Sequence, residues 1–345
     1  MPDKDPQRKG YILLLKELLV VGVIIIVILV ALFAYSGLWP PVVVVESGSM
    51  QHSDTQSSIG TIDTGDIVIV QKVQGSQDVV TYLDGVSNGY KTYGEFGDVV
   101  IYNRYGLTER VPIIHRALCK IIYNETGGGY DIPSLASLPD AQWEVQGISA
   151  KTCWNLNKVV EIHDIGYLHL TVRLDLSEIL KYYSSRGLSP HGGLITMGDH
   201  NAQSNGTELL GYYDQLSICR EPIRDSWLVG KARGELPWFG LVKLWATNTL
   251  PPNTPQNSVT NFFISIVVII GLPIALDLSN VLLKRRGIEI FGWTKKLRVV
   301  LVCGKRGDEE AEVGKGGEAV KDADPSEPTS SGQTKTGKKD KGKSE

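Results

Sequence analysis

Ser49 stands in the stretch Ser47-Gly48-Ser49-Met50, directly after the valines 42–45. A serine hydroxyl attacks a carbonyl carbon only when a base takes its proton, and an imidazole oriented by an acid is the usual base. Six histidines are available. His52 lies too near Ser49 to be an obvious partner unless a turn brings it back. His115 interrupts the apolar run Pro-Ile-Ile-His-Arg-Ala-Leu and is followed at once by Arg116. A strand with Ile114 inward sends His115 and Arg116 to opposite faces, so that one of them lines a cleft. A strand histidine bonded to backbone is the plainer alternative. His163 and His169 lack a Cys or Asp at ligand spacing, so neither a metal site nor a cofactor is expected. Asp199, in Met197-Gly198-Asp199-His200-Asn201, closes a strand. It either makes an Asx-turn or orients a histidine, and spacing alone does not complete a serine–histidine–acid trio.

Short strands must position these groups. Residues 65–73, 79–84, 97–102 and 111–122 are apolar, β-branched runs, two of them entered through Gly-Asp. Residues 124–142 read as loop, and 157–176 alternate well enough for two strands. A helix is predicted over 175–186, with Ser177 as N-cap and Gly187 beyond its end. Residues 193–198 form a strand, a long loop follows, and 227–246 give two more strand-like pieces. Strands this short suit a mainly β, curled sheet rather than a βαβ sandwich.

Two apolar runs bracket this region. The segment 18–35 carries no charge, and extended back to Tyr11 it provides about 25 residues, enough to cross a hydrocarbon layer. A cleaved signal peptide is the rival reading, but no small-residue cleavage site follows at once. The run 262–283 contains Pro273 and Asp277; residues 284–306 beyond it are rich in Lys and Arg, whereas 246–261 carry no charge. That asymmetry places the C-terminal side in the cytoplasm and residues 36–260 outside it. From about 307 the chain is polar and expected to be disordered. Its net charge of -3 and pI near 6.1 give no reason to expect a nucleic-acid partner. Of Cys119, Cys153, Cys219 and Cys303, the first three allow one bridge if they lie outside the cell; free buried thiols are the alternative.

The ordered motifs Ser-Gly-Ser-Met at 47–50, Gly-Asp-Ile-Val at 65–68, Gly-Asp-Val-Val at 97–100, Ile-Ile-His-Arg at 113–116 and Met-Gly-Asp-His-Asn at 197–201 resemble type I signal peptidase. The closing Gly-Lys-Ala-Arg-Gly-Glu-Leu-Pro-Trp-Phe-Gly at 230–240 does so too. A histidine where the common bacterial enzymes use lysine marks the archaeal and endoplasmic-reticulum branch. The resemblance implies a membrane-bound serine endopeptidase that removes signal peptides from secreted preproteins at the extracytoplasmic face of the cell membrane. It implies a signal-peptidase-like curled β core with Ser49 as nucleophile and His115 as general base. Residues 42–46 then form the strand that pairs with substrate, and Val43, Val45, Ser47 and Met50 border its subsites.

The family's acidic motif continues a few residues on to a second Asp, where this chain has Asn205. Either the stretch Gln-Ser-Asn-Gly-Thr-Glu-Leu-Leu-Gly-Tyr is an insertion and Asp214 takes the place with Asp199 in support, or Asp199 acts alone. Residues 123–190 read as an inserted β-rich subdomain. The partners implied are signal peptides, the lipid bilayer and the protein-translocation machinery. The alternative is a catalytically inactive membrane-anchored scaffold of the same fold.

Overall fold

The computed structural model describes residues 6–148 and 151–285. The first residues of the expected cytoplasmic N-terminus, nearly all of the basic flank 284–306, the polar tail and Cys303 lie outside the described residues. By its internal contacts the chain divides into residues 1–276 and 277–345. Of the second unit only the end of a helix, to Arg285, is described.

In chain order, helix α1 (Pro6–Ser36) leads into β1 (Val42–Val44) and β2 (Ile67–Gln71). Helix α2 (Tyr82–Asn88) precedes β3 (Lys91–Thr92), β4 (Glu95–Phe96), β5 (Val99–Tyr102) and β6 (Ile113–Asn124). Then come β7 (Gly129–Asp131), β8 (Trp143–Val145), β9 (Val159–Ile165), β10 (Leu170–Asp175) and α3 (Leu176–Arg186). The chain continues through β11 (Gly193–Asn205), β12 (Glu208–Tyr213), β13 (Leu228–Leu236), α4 (Leu241–Ala246) and α5 (Gln256–Arg285).

Eleven of these strands make one sheet in the order β1-β2-β13-β5-β6-β11-β12-β10-β9-β8, with β7 added to β6. Every pairing but one is antiparallel; β10 runs parallel to β12. The sheet is therefore mixed, and it is open, with β1 at one edge and β8 at the other. This overturns the curled catalytic sheet expected from the sequence. The parallel step from β12 to β10 carries β9 and β8 outward in the same sheet, away from β1, so the two ends do not meet.

Several local expectations also change, among them the expected loop 124–142, which contains β7. Residues 79–84 do not form a strand: Thr81 and Asp84 close a capping box that starts α2, the arrangement Thr-x-x-Asp favours. The second piece of 227–246 is the helix α4, whose Leu241 and Leu244 are buried one turn apart. The long loop after Asp199 is instead the β11–β12 hairpin, turned at Gly206 with φ 66°, the left-handed backbone that glycine adopts without cost. Helix α3 ends at Gly187 as expected but is capped by Asp175, which accepts from the Glu178 N–H at 3.0 Å.

The apolar side chains gather on both faces of the sheet. One cluster, with Leu118, Ile162, Val172, Leu174 and Ile195 fully or nearly fully buried, fills the space under α2 and α3. A second packs Val45, Met50 and Ile62 against Val68, Val70, Val99 and Ile101. Cys119, Cys153 and Cys219 are free thiols, all buried.

Among the described residues, two helices are long and apolar enough to cross a membrane, over Leu14–Ser36 and Gln256–Leu283, with 23 and 28 residues. Their aliphatic side chains are exposed along most of their length, which water would penalise and lipid would not. The protein is membrane-associated on this account. The end of α1 is fastened to the sheet: the Ser36 hydroxyl donates to the Val70 carbonyl at 2.5 Å, and the Lys72 N–H donates to the Ser36 carbonyl at 2.8 Å.

Truncating the first cluster gives a direct check on this packing. Ile162→Ala is expected to lower the thermal midpoint of the detergent-solubilised protein by roughly 5–15 °C, from a loss of about 2–5 kcal/mol. Ile122→Ala, at a side chain 45% exposed, is expected to change it little.

Candidate active site

The site is built around adjacent residues of β6. His115 pairs with Val100 of β5, and Arg116 with Val99 on one side and Met197 on the other. Side chains alternate along a strand, so the imidazole and the guanidinium leave the sheet on opposite faces. Both are almost completely buried, and each meets an acid.

On one face, His115 Nε2 lies 2.9 Å from Ser49 Oγ, and Nδ1 lies 2.7 Å from Asp214 Oδ1. Asp214 opens a single 3-10 turn immediately after β12, and its carboxyl is fully buried. The hydroxyls of Tyr102 and Thr196 donate to its Oδ2 at 2.7 and 2.6 Å. Burial and the neighbouring Asp214 raise the Tyr102 pKa, which keeps the phenol a donor. A carboxylate only accepts, so the His115 proton sits on Nδ1. The Nε2 lone pair then faces the serine hydroxyl, the tautomer a general base requires.

Ser49 lies in a turn just after β1. Met50 anchors that turn in the second apolar cluster at 1% exposure. The His200 N–H donates to the Ser49 carbonyl at 2.9 Å. A break in the β11–β12 register between Met197 and Ala202 makes room for this contact, and so does Gly198: a Cβ there would stand 2.5 Å from the Ser49 carbonyl oxygen. Ser47 is exposed, with its Oγ 3.3 Å from Ser49 Oγ.

On the other face, Asp199 receives Arg116 Nε at 2.7 Å and Nη2 at 2.6 Å, a two-point contact. His52 Nε2 lies 3.1 Å from Asp199 Oδ2. Arg116 Nη1 also donates to the carbonyls of Thr92, Phe96 and Gly97, at 3.0 to 3.1 Å, and so closes the β3–β4 hairpin. Burial works to raise the Asp199 pKa, but the Arg116 charge and its hydrogen bonds, with help from His52, outweigh it and hold the carboxyl below its ordinary value. Burial likewise works to lower the Arg116 pKa and is outweighed by Asp199.

Of the residues singled out in the sequence, Ser49, His115 and Asp214 come together, while Asp199 stands with Arg116 and His52. Val45 and Met50 are core side chains and do not line an open subsite; Val43 is half-buried against the same cluster. What β1 offers at the sheet edge is backbone. The Pro41 carbonyl accepts from Val70 of β2, and Val45 exchanges bonds with Gly65 and Asp66 just before that strand, so alternation turns the N–H and C=O groups of Val42 and Val44 outward. Tyr102 and Thr196 were not singled out, because nothing in their local sequence tells that their hydroxyls converge on a distant carboxylate.

Among the described residues, one group of metal-ligand type is close enough to share an ion: Glu144, Glu161 and His163 on β8 and β9. Arg173 Nε lies 3.3 Å from Glu161 Oε1, so a cation on that carboxylate is already supplied by the chain. His169 is apart from this group, with its Nδ1 on Asp164 at 2.5 Å.

Comparison of the chain with protein-family models, with curated proteins and with solved structures returned no match.

The Arg116–Asp199 pair makes a pH-dependent contribution. The folded Asp199 pKa lies below its ordinary value of 3.8, so the stabilisation is full above that value and is lost as pH falls through the folded one. Asp199→Asn, which leaves a buried guanidinium without its charge partner, is expected to cost about 3–5 kcal/mol at neutral pH. Denaturant unfolding at a series of pH values should show the gap between variant and wild type closing in the acid range below about 3.8.

Proposed function

We propose that the protein is a membrane-bound serine endopeptidase that cleaves signal peptides from secreted preproteins. The observation that carries this reading is the continuous path Ser49 Oγ–His115 Nε2, His115 Nδ1–Asp214, at 2.9 and 2.7 Å. In that arrangement His115 takes the Ser49 proton as Oγ attacks a peptide carbonyl carbon. Asp214 stabilises the imidazolium that results, and the imidazolium returns the proton to the leaving amine. An acyl-enzyme remains at Ser49. His115 then activates a water, which hydrolyses the ester and frees the serine. Among the described residues no partner stands on the Ser49 backbone N–H, which leaves it available to the oxyanion.

Substrate class rests on two further features. The open edge of β1 is suited to an extended peptide, because main-chain pairing there runs into the Ser49 turn. The residues between α1 and β1 number only five, 37–41, so the turn lies a short distance in sequence from the apolar helix. A substrate with its own apolar segment in the bilayer would present the chain just beyond that segment to such a site. The ordered motifs shared with type I signal peptidase agree with this class. The basic residues after α5 favour a cytoplasmic C-terminus and an extracytoplasmic site.

Cleavage of a model preprotein by the purified protein in liposomes tests the reading. Ser49→Ala and His115→Ala are expected to abolish cleavage, and Asp214→Asn to lower kcat by roughly 10³–10⁴-fold through the wrong histidine tautomer. Undiminished cleavage by Ser49→Ala would exclude the assigned nucleophile, and no cleavage by wild type would favour an inactive scaffold.

A further inference from the structure

The β9–β10 hairpin, far from Ser49 in sequence, reaches the segment that carries it. Its turn, residues 166–169, is fixed from two sides. The Gly166 N–H donates to the Tyr82 hydroxyl at 2.9 Å, and the His169 N–H donates to the Gly166 carbonyl at 3.0 Å. Tyr82 is itself buried on α2. The turn therefore holds its second residue, Tyr167, in a set position.

Tyr167 touches the nucleophile's segment in three ways. Its ring stacks on His52, with centroids 4.3 Å apart and planes 22° from parallel. Its oxygen lies 3.3 Å from the Gln51 carbonyl. It also lies 2.6 Å from His200 Nδ1, on the residue whose N–H holds the Ser49 carbonyl. His200 Nε2 lies 3.1 Å from Asp54 Oδ1. That contact places the imidazole proton on Nε2 and leaves Nδ1 to accept from the phenol. Burial first, and then the charges of Asp199, Asp54 and Asp63, push the Tyr167 pKa up to about 12, so the group is a hydroxyl throughout the neutral range.

We propose that Tyr167 is a positioning residue for Ser49, clamping residues 51–54 and His200 so that the hydroxyl stays within reach of His115. The proposal rests on Ser49 acting as the nucleophile. The base needs no such help, since β5, β11 and Asp214 hold His115 from within the sheet. The nucleophile lies outside the sheet, in a turn anchored by Met50 on one side and His200 on the other. Gln51, His52 and Asp54 follow it at once, and Tyr167 makes contact with the first two directly and with the third through His200. Displacement of a reacting atom by about 1 Å costs on the order of 10²-fold in rate, so even partial loosening of this turn shows in kcat.

The experiment is steady-state cleavage of a model preprotein by the full-length protein in detergent, with wild type, Tyr167→Ala, Tyr167→Phe and Ser49→Ala side by side and the thermal midpoint recorded for each. Tyr167→Ala, which loses ring and hydroxyl, is expected to lower kcat at least tenfold with KM within about twofold, the pattern of lost geometry rather than lost binding. Tyr167→Phe keeps the stack on His52 and is expected to fall about threefold in kcat with an unchanged midpoint. A kcat for Tyr167→Ala within twofold of wild type overturns the proposal, as does a raised KM at unchanged kcat. If Tyr167→Ala melts early, Tyr167→Phe decides: reduced kcat at an unchanged midpoint supports the clamp, and wild-type kcat rejects it. An inactive wild type, or an active Ser49→Ala, removes the assigned nucleophile and with it the clamp. An active wild type and silent Ser49→Ala beside an undisturbed Tyr167→Ala removes the clamp alone.

Discussion

The alternation of side chains along β6 is the constraint from which the rest of the site follows. His115 and Arg116 are consecutive, so the pleat sends an imidazole and a guanidinium to opposite faces of a sheet that buries them both. A buried guanidinium without an acid is costly, and so is a buried carboxylate without donors. The fold therefore needs two acids, one on each face. Asp214 reaches His115 from the turn after β12, and Asp199 reaches Arg116 from the irregular part of β11. The two acids belong to one hairpin, and its register break between Met197 and Ala202 allows one β-ribbon to serve both faces.

That arrangement separates a rigid half from an adjustable one. The imidazole is carried by a strand paired on both sides and is held by a carboxyl that accepts from Tyr102 and Thr196 as well. Few degrees of freedom remain to it. The serine sits in a turn whose place depends on single contacts: Met50 in the core, the His200 N–H on the Ser49 carbonyl, and the missing Cβ of Gly198. The short Ser49–His115 contact thus joins a group fixed by many interactions to one fixed by few. In the proposed reading of the protein as a peptidase, control over the reaction falls mainly on the turn.

The open sheet has a consequence at each edge. An uncovered strand exposes unpaired backbone groups and invites another chain to pair. At β1 that invitation lies beside the serine and next to an apolar helix, and in the proposed peptidase it is where an extended peptide would pair. At the opposite edge β8 is as short as β1, three residues, but it carries Glu144 opposite Glu161. Charge on an edge discourages pairing, and the valines of β1 carry none, so the two edges differ in this respect.

Much of this was written locally. The apolar runs predicted both long helices, because a predominantly apolar stretch of 20 or so residues, even one with the single charge of Asp277, has few other places to lie. Gly-Asp entries and β-branched runs predicted β2, β5 and β6, and Gly187 ended α3 as its left-handed backbone requires. Ser49 and His115 stood out by residue type and by the motifs around them. The capping box that makes α2 a helix was also present in Thr81 and Asp84, where apolar composition suggested a strand instead. What only the tertiary structure decided was pairing across distance. Whether the sheet closes depends on β10 joining β12 in parallel, a choice no local pattern carries. Asp199 and Asp214 are chemically alike, and only the fold of the β11–β12 hairpin assigns one to the arginine and the other to the histidine. Tyr102, Thr196 and Tyr167 acquire their roles the same way, since a hydroxyl's partner is set by where the chain brings it rather than by its neighbours in sequence.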